Sequence, residues 1–385
     1  MNGSQTILVL GGGVGGLVVA HELRRLLPTE HRVILVEREP LFVFAPSLLW
    51  LMTGGRTAEG ISRPLARLER KGIEVVQGEI ERIDAAHREV TVSGATLLAD
   101  YLVIALGAEL APETVPGLPA AGHNFYTVAG AEALRDALSA FSGGRLVVLT
   151  AAPAYKCPAA PYEAAMLLEH YCRGKKVRGQ TQLDLYAAEP GPMGLAGPEV
   201  SKGVRQLVES RGIAYHPEHQ VQEVDSSARR LRFANGAEVT YDLLAYVPPH
   251  RAPRVVREAG LVSESGWVPV DAHTLETKFE HMYALGDVVS IPLKLGKPLP
   301  KAGVFAHAEA EVVARNIARA ITGRGTPAAF DGVGACFVET GDRRAAYGKG
   351  NFYAEPVPEV KLHNPGWHWH IGKVWFEKNW LRRWF

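Results

Sequence analysis

One stretch near the start, TILVLGGGVGGLVVAHEL (residues 6–23), constrains this chain more than any other. The apolar run Thr6 to Leu10 reads as a buried strand of a parallel sheet. Gly11, Gly13 and Gly16 follow at G-x-G-x-x-G spacing, and a helix comes next. The first glycine allows the tight turn, the second lets the backbone approach a pyrophosphate, and the third lets helix and strand pack closely. The free N–H groups at the helix start then face the phosphates. A second strand, RVILVE (32–37), ends at Glu37, where an acid takes ribose hydroxyls. Strand, glycines, helix and acid together predict a dinucleotide-binding unit, and hence an α/β fold.

The rest of the composition narrows the class. With 385 residues, 47% of them hydrophobic, the chain can build two or three domains with ordinary cores. A formal charge of +1 supplies no general pull toward nucleic acid. No run of about 18 apolar residues is present, so no spanning helix is expected. The start lacks a basic region ahead of its short apolar run, so no secretory signal is expected either. Cys157, Cys172 and Cys336 are too few and too scattered for a disulfide scaffold, and no CxxC or His–Cys cluster suggests a metal.

The middle of the chain repeats the first pattern with one substitution of chemistry. GRLVVLT (144–150) reads as a strand, Pro161 to Cys172 as a helix, and LDLYAAE (183–189) as the next strand. The intervening AAPAYKCPAAPYE contains no glycine, and its side chains and prolines crowd any pyrophosphate. The fold is therefore expected to persist with a degenerate dinucleotide site, leaving Glu189 as a solvated strand-end charge. A thiol stands in that turn instead. Cys157 precedes a helix start marked by Pro158 or Pro161, and Lys156 adjoins it. Helix dipole and lysine are both expected to favour the reactive thiolate. Cys172, farther along the helix, reads as a structural residue.

Two downstream segments, ADYLVIALGAE (99–109, with Gly107) and HMYALGDVVSIP (281–292), resemble those of the two-dinucleotide flavoproteins. That resemblance implies Gly286 and Asp287 as FAD-binding residues, with Asp287 on the ribityl chain. Further segments resemble the sulfide:quinone oxidoreductase and flavocytochrome c sulfide dehydrogenase family: FVFAPSLLWLMTG (42–54, with Pro46), KCPAAPYE (156–163), YDLLAYVPPHRAP (241–253), PLPKAGVFAHAEAEVVARNI (298–317) and FDGVGACFVETG (330–341).

The resemblance implies that Cys157 and Cys336 form a redox pair facing FAD and that Glu163 serves as base for sulfide. Lys301, beside the flavin pyrimidine, would stabilise negative charge on the reduced flavin. Sulfide would be oxidised to zero-valent sulfur or polysulfide, with electrons passing to a membrane quinone. The alternatives are donation to a cytochrome subunit, or NADH:quinone chemistry. The sequence departs from the three-cysteine family members at Tyr126, Gly130 and Pro192, where they carry a cysteine and two histidines. His307 and Glu311 occupy positions where NADH:quinone enzymes carry glutamines near quinone. No cysteine precedes Cys157, which excludes the flavin linkage that the flavocytochrome branch makes after the Glu37 strand.

The expected organisation is an FAD domain from residues 1–110 and 265–330, a second Rossmann-like domain over 111–264, and a C-terminal region over 331–385. Five of the seven tryptophans lie in WHWHIGKVWFEKNWLRRWF (367–385). Ile371, Val374, Trp375, Leu381, Trp384 and Phe385 recur near helical spacing, with Lys373, Lys378, Arg382 and Arg383 between them. Tryptophan beside Lys and Arg suits a headgroup boundary. This predicts a peripheral membrane helix; a helix docked on the body or on a second subunit of a homo-oligomer is the alternative.

Overall fold

A computed structural model describes residues 3–153 and 155–385. The opening motif folds as its spacing requires. Thr6–Leu10 is the central strand of a five-stranded parallel sheet, between Tyr101–Ile104 and Arg32–Glu37, with Met282–Ala284 and Glu74–Gln77 at the edges. Buried on both faces, the strand is apolar after Thr6, with Ile7, Leu8, Val9 and Leu10 fully enclosed. The helix Val14–Leu26 packs against the helix Gly303–Thr322, so the first and last thirds of the chain share one core. Gly11 sits at φ +103°, and a Cβ on Gly16 would lie 1.8 Å from the Gly11 carbonyl oxygen. Neither position tolerates a side chain.

A second five-stranded parallel sheet runs His123–Asn124, Leu243–Val247, Gly144–Thr150, Thr181–Ala187, Ala214–His216. The helix Ala160–Gly174 covers it, joined to the central strand by the glycine-free turn. The α/β architecture with two Rossmann-like sheets is thus the one read from the sequence.

The C-terminal region adds a three-stranded antiparallel sheet, Val333–Gly341, Arg344–Asn351 and Glu359–Gly366, whose first strand packs on the helix Ala160–Gly174. Asp342 in its hairpin turn is gripped by Arg173 at 2.7 Å and Arg211 at 3.3 Å. The chain then enters the tail helix, Trp367–Trp384.

The tail helix does not present the single apolar face expected of it. One stripe, Lys373, Glu377, Trp380 and Trp384, is buried against the body together with Leu381. Trp380 stacks on Phe42 at 5.0 Å and leans on Phe44 at 5.3 Å. Arg56 pairs with Glu377 at 2.7 Å. The opposite stripe, Trp367, Ile371 and Trp375, is more than half exposed, and Phe376 beside it is 43% exposed. The helix is docked and outward-facing at once. Leu381 and Trp384, expected on the outer face, belong to the inner one. No helix among the described residues is long and apolar enough to cross a membrane.

Candidate active site

The turn after the strand Gly144–Thr150 carries Cys157 in the left-handed region, at φ 52°, uncommon for a residue with a side chain. Three contacts hold it there. The Cys157 N–H donates to the Lys301 carbonyl at 2.7 Å, and Ala160 N–H donates to the Cys157 carbonyl at 2.9 Å. The Tyr126 hydroxyl donates to the carbonyls of Lys156 and Cys157, at 2.9 and 3.3 Å. The first contact matters most, because it ties the second sheet's turn to the segment that follows Gly286–Asp287. Cys336 arrives from the other side on the strand Val333–Gly341, opposite Gly348.

Both thiols keep some accessible surface although protein surrounds them closely, as do Tyr126, Asp287 and Lys301. The thiols do not titrate as the sequence suggested. Burial pushes Cys157 well above the usual thiol range, followed by the charges of Cys336 and Glu163. Burial and then Glu163 push Cys336 up to about 12. The helix begins at Ala160, three residues past the thiol, too far for a strong dipole effect. The neighbouring Lys156 acts on Asp287 and His250 instead. The cation that lowers both thiols is Lys373, from the tail helix.

Glu163 is buried. One of its oxygens accepts from Lys373 Nζ at 2.5 Å and from the Glu339 N–H at 2.8 Å. Glu339, also buried, accepts from His370 Nδ1 at 3.0 Å, and burial pushes its carboxyl up. Lys301 is not a solvated loop lysine: its Nζ donates to the carbonyls of Asp287 and Val289, both at 2.8 Å, and sits 3.5 Å from the Trp267 ring centre. Burial pulls it down to about 8. Asp287 is raised by burial, against the opposing pull of Lys156 and Lys301. Nearby, Glu309 accepts from Gly286 N–H at 2.6 Å and is raised by burial to about 7.

At the first glycine turn, Glu37 accepts from Gly12 N–H at 2.7 Å. Cβ atoms built on Gly13 and Gly107 would meet nothing within 4 Å, so the space before the helix is open. Pro46 is exposed in the turn Ala45–Ser47. Glu189 corrects the sequence reading: it is not a solvated charge. Its carboxylate accepts from Thr150 at 2.9 Å, Tyr155 at 2.6 Å and Tyr162 at 2.5 Å. Cys172 is fully buried and raised by burial.

Lys373, Glu339, His370, Glu309 and the clamping role of Tyr126 went unread in the sequence. For Lys373 a signal existed: residues 373, 377, 380 and 384 keep helical spacing, which places two charges on the stripe of two tryptophans.

A glycine-turned parallel sheet, a second parallel sheet with a glycine-free turn set into the chain and a helix returning to the first define the two-dinucleotide type of flavoprotein. The chain belongs to the pyridine nucleotide-disulphide oxidoreductase family, whose profile matches residues 5–310. It is similar to the sulfide-quinone reductase of Aquifex aeolicus, 29% identical across 97% of this chain and 90% of that protein. It is also similar to the mitochondrial sulfide:quinone oxidoreductase of Mus musculus, 24% identical across 91% and 79%. The solved structure of the Aquifex aeolicus sulfide:quinone oxidoreductase superposes with a TM-score of 0.89 at 26% identity, covering 99% of this chain and 91% of that one. The likeness to the sulfide:quinone oxidoreductases read from the motifs is borne out. The chain is an oxidoreductase, and these relationships imply a flavin cofactor.

Proposed function

We propose that this chain oxidises sulfide through Cys157 and Cys336 and passes the electrons, by way of FAD, to a quinone. The observation that carries the reading is the 2.7 Å bond from Cys157 N–H to the Lys301 carbonyl. It sets a thiol at the junction of the two dinucleotide units, where a nicotinamide enzyme needs an open glycine turn.

The residues fit FAD. Gly13 and Gly107 leave the backbone bare before an open space, Gly11 and Gly16 allow the tight turn and the close helix packing behind it, and Glu37 stands where a ribose would be held. Gly286, Asp287 and Lys301 would face the flavin, with Cys157 tied to Lys301 by its backbone, and exposed Pro46 is free to contact the cofactor. We assign the FAD unit to residues 1–110 and 265–330, the unit with a degenerate NADH site to 111–264, and the Cys336 region to 331–385. Bound FAD supplies a two-electron acceptor.

The chain's own groups do the rest. Hydrosulfide attacks one sulfur of the oxidised cysteine pair; a new S–S bond forms, the old one breaks, and the other cysteine leaves as thiolate. Overall, hydrogen sulfide gives zero-valent sulfur, two protons and two electrons, and quinone takes up two of each to become quinol. Glu163, whose charge is felt by both cysteines, would take the sulfide proton. Lys301 holds positive charge without needing to reorganise, which favours the electron-rich flavin.

The exposed stripe of Trp367, Ile371 and Trp375, with Lys378 and Arg382 also exposed on the helix, supports peripheral attachment to a bilayer. A lipid-soluble quinone could then enter from that side. NADH is disfavoured because the turn has no glycine and three hydroxyls already occupy Glu189.

Anaerobic mixing of the flavin-loaded protein with sulfide or with NADH tests the reading. Sulfide is expected to bleach the flavin's visible band and NADH to leave it; the converse result overturns the proposal.

A further inference from the structure

Helix Trp367–Trp384 brings an ammonium group into the protein interior. Lys373 is 7% exposed, which is rare for lysine without a firm partner. It pairs with Glu163 from the Cys157 helix at 2.5 Å and lies 5.1 Å from the Trp50 ring centre, within the electrostatic reach of Glu339 and Cys336 from the strand Val333–Gly341. Arg56, the other cation over Trp50, is committed to Glu377. The Glu163 carboxylate that binds Lys373 also accepts from Glu339 N–H. One polar knot thus joins the helix after Cys157, the strand of Cys336 and the tail helix. Glu339 is further held by His370, one helical turn before Lys373.

We propose that Lys373 is the positioning cation of the thiol pair: it holds Cys157 and Cys336 close enough to thiolate for reaction, and docking of the tail helix completes the redox site. The inference rests on the reading of those two cysteines as the redox pair. Without a cation, two thiols beside buried Glu163 and Glu339 sit in a field that opposes a third negative charge. Lys373 offsets that field, and Glu163 works against it. Buried charge also explains why Lys373 stays protonated: the attraction of Glu163 and Glu339 outweighs desolvation. Glu339, held by His370, adds a second carboxylate to the attraction on the cation.

The prediction has opposite signs at the two ends of the pair. Because only thiolate reacts, alkylation of the reduced, flavin-loaded protein by iodoacetamide at fixed mildly alkaline pH, followed by peptide mass spectrometry, reports each thiol. Lys373→Gln keeps a donor for Glu163 but removes the charge. It is expected to slow alkylation of Cys157 and Cys336 about tenfold, the change for one pKa unit. Lys373→Arg should stay within about twofold of the parent, since the charge remains. Glu163→Gln, nearly isosteric, should speed both thiols several-fold, and buried Cys172 should not respond in any variant. Equal rates in Lys373→Gln and Lys373→Arg would overturn the proposal, as would a Glu163→Gln protein that alkylates no faster than the parent. The second comparison holds even where Lys373→Gln fails to fold. No sulfide enters the experiment, so failure of sulfide to bleach the flavin counts against the proposed function alone.

Discussion

Replacing Trp380 by alanine should free the end of the tail helix from the body. Trp380 is 4% exposed, stacked on Phe42 at 5.0 Å and near Phe44 and Trp384 at 5.3 and 6.0 Å. A buried indole hides roughly 200 Å², which at about 25 cal/mol per Å² amounts to some 5 kcal/mol. Solvent entry and collapse of the two phenylalanines should recover part of this, leaving a loss of about 3 kcal/mol, at the low end for Trp→Ala changes. That is roughly a hundredfold in the docking equilibrium. Native-state hydrogen exchange reads it directly, because local opening sets amide protection. Protection across residues 376–384 should fall by about two orders of magnitude, while the strand Thr6–Leu10 keeps its protection. A drop of less than about threefold in the tail helix would refute the reasoning, since it would mean the aromatic contacts do not hold the helix.

Other expectations follow from single sites. Gly13→Ala should fold and lose bound flavin, because the added methyl projects into open space before the helix, whereas Gly16→Ala should fail to yield soluble protein, its Cβ falling 1.8 Å from the Gly11 oxygen; flavin content and yield separate the two. Glu309 holds its proton more tightly folded than unfolded, with a value near 7 against an ordinary 4.5. Its contribution is therefore full below about pH 4.5 and declines as pH rises through about 7, by up to about 3 kcal/mol. Urea unfolding of the flavin-free protein should show that decline, and Glu309→Gln should flatten it. Tyr126→Phe removes the one hydroxyl that donates to the Lys156 and Cys157 carbonyls of the left-handed turn; it should cost about 1–2 kcal/mol, and flavin reduction by sulfide should slow measurably in stopped flow.

Much of this was legible because local rules and tertiary packing agree. Gly11, Gly13 and Gly16 demand a turn that only one fold class uses, and Thr6–Leu10 is apolar on both faces because parallel strands are covered twice. The missing glycines after Thr150 were equally readable. The titration of Cys157 was not. Proximity in sequence pointed to Lys156, but its charge acts on Asp287 and His250, and the cation that lowers the thiol comes from residue 373. A charge on the buried stripe of a helix breaks the rule that lysines face water, so the phase of the tail helix was misjudged by the same assumption. Glu189 was misread for a related reason: its partners Tyr155 and Tyr162 lie in the turn and helix before it, and nothing in the spacing shows that their hydroxyls converge.

The central claim is that two particular sulfurs, and not the third, pass electrons to the flavin. Single-turnover reduction by sulfide in Cys157→Ser, Cys336→Ser and Cys172→Ser proteins, each loaded with flavin, tests it most directly. The account predicts no flavin reduction in the first two and reduction at the parent rate in the third. Reduction surviving in either of the first two, or equal loss in all three, would contradict it.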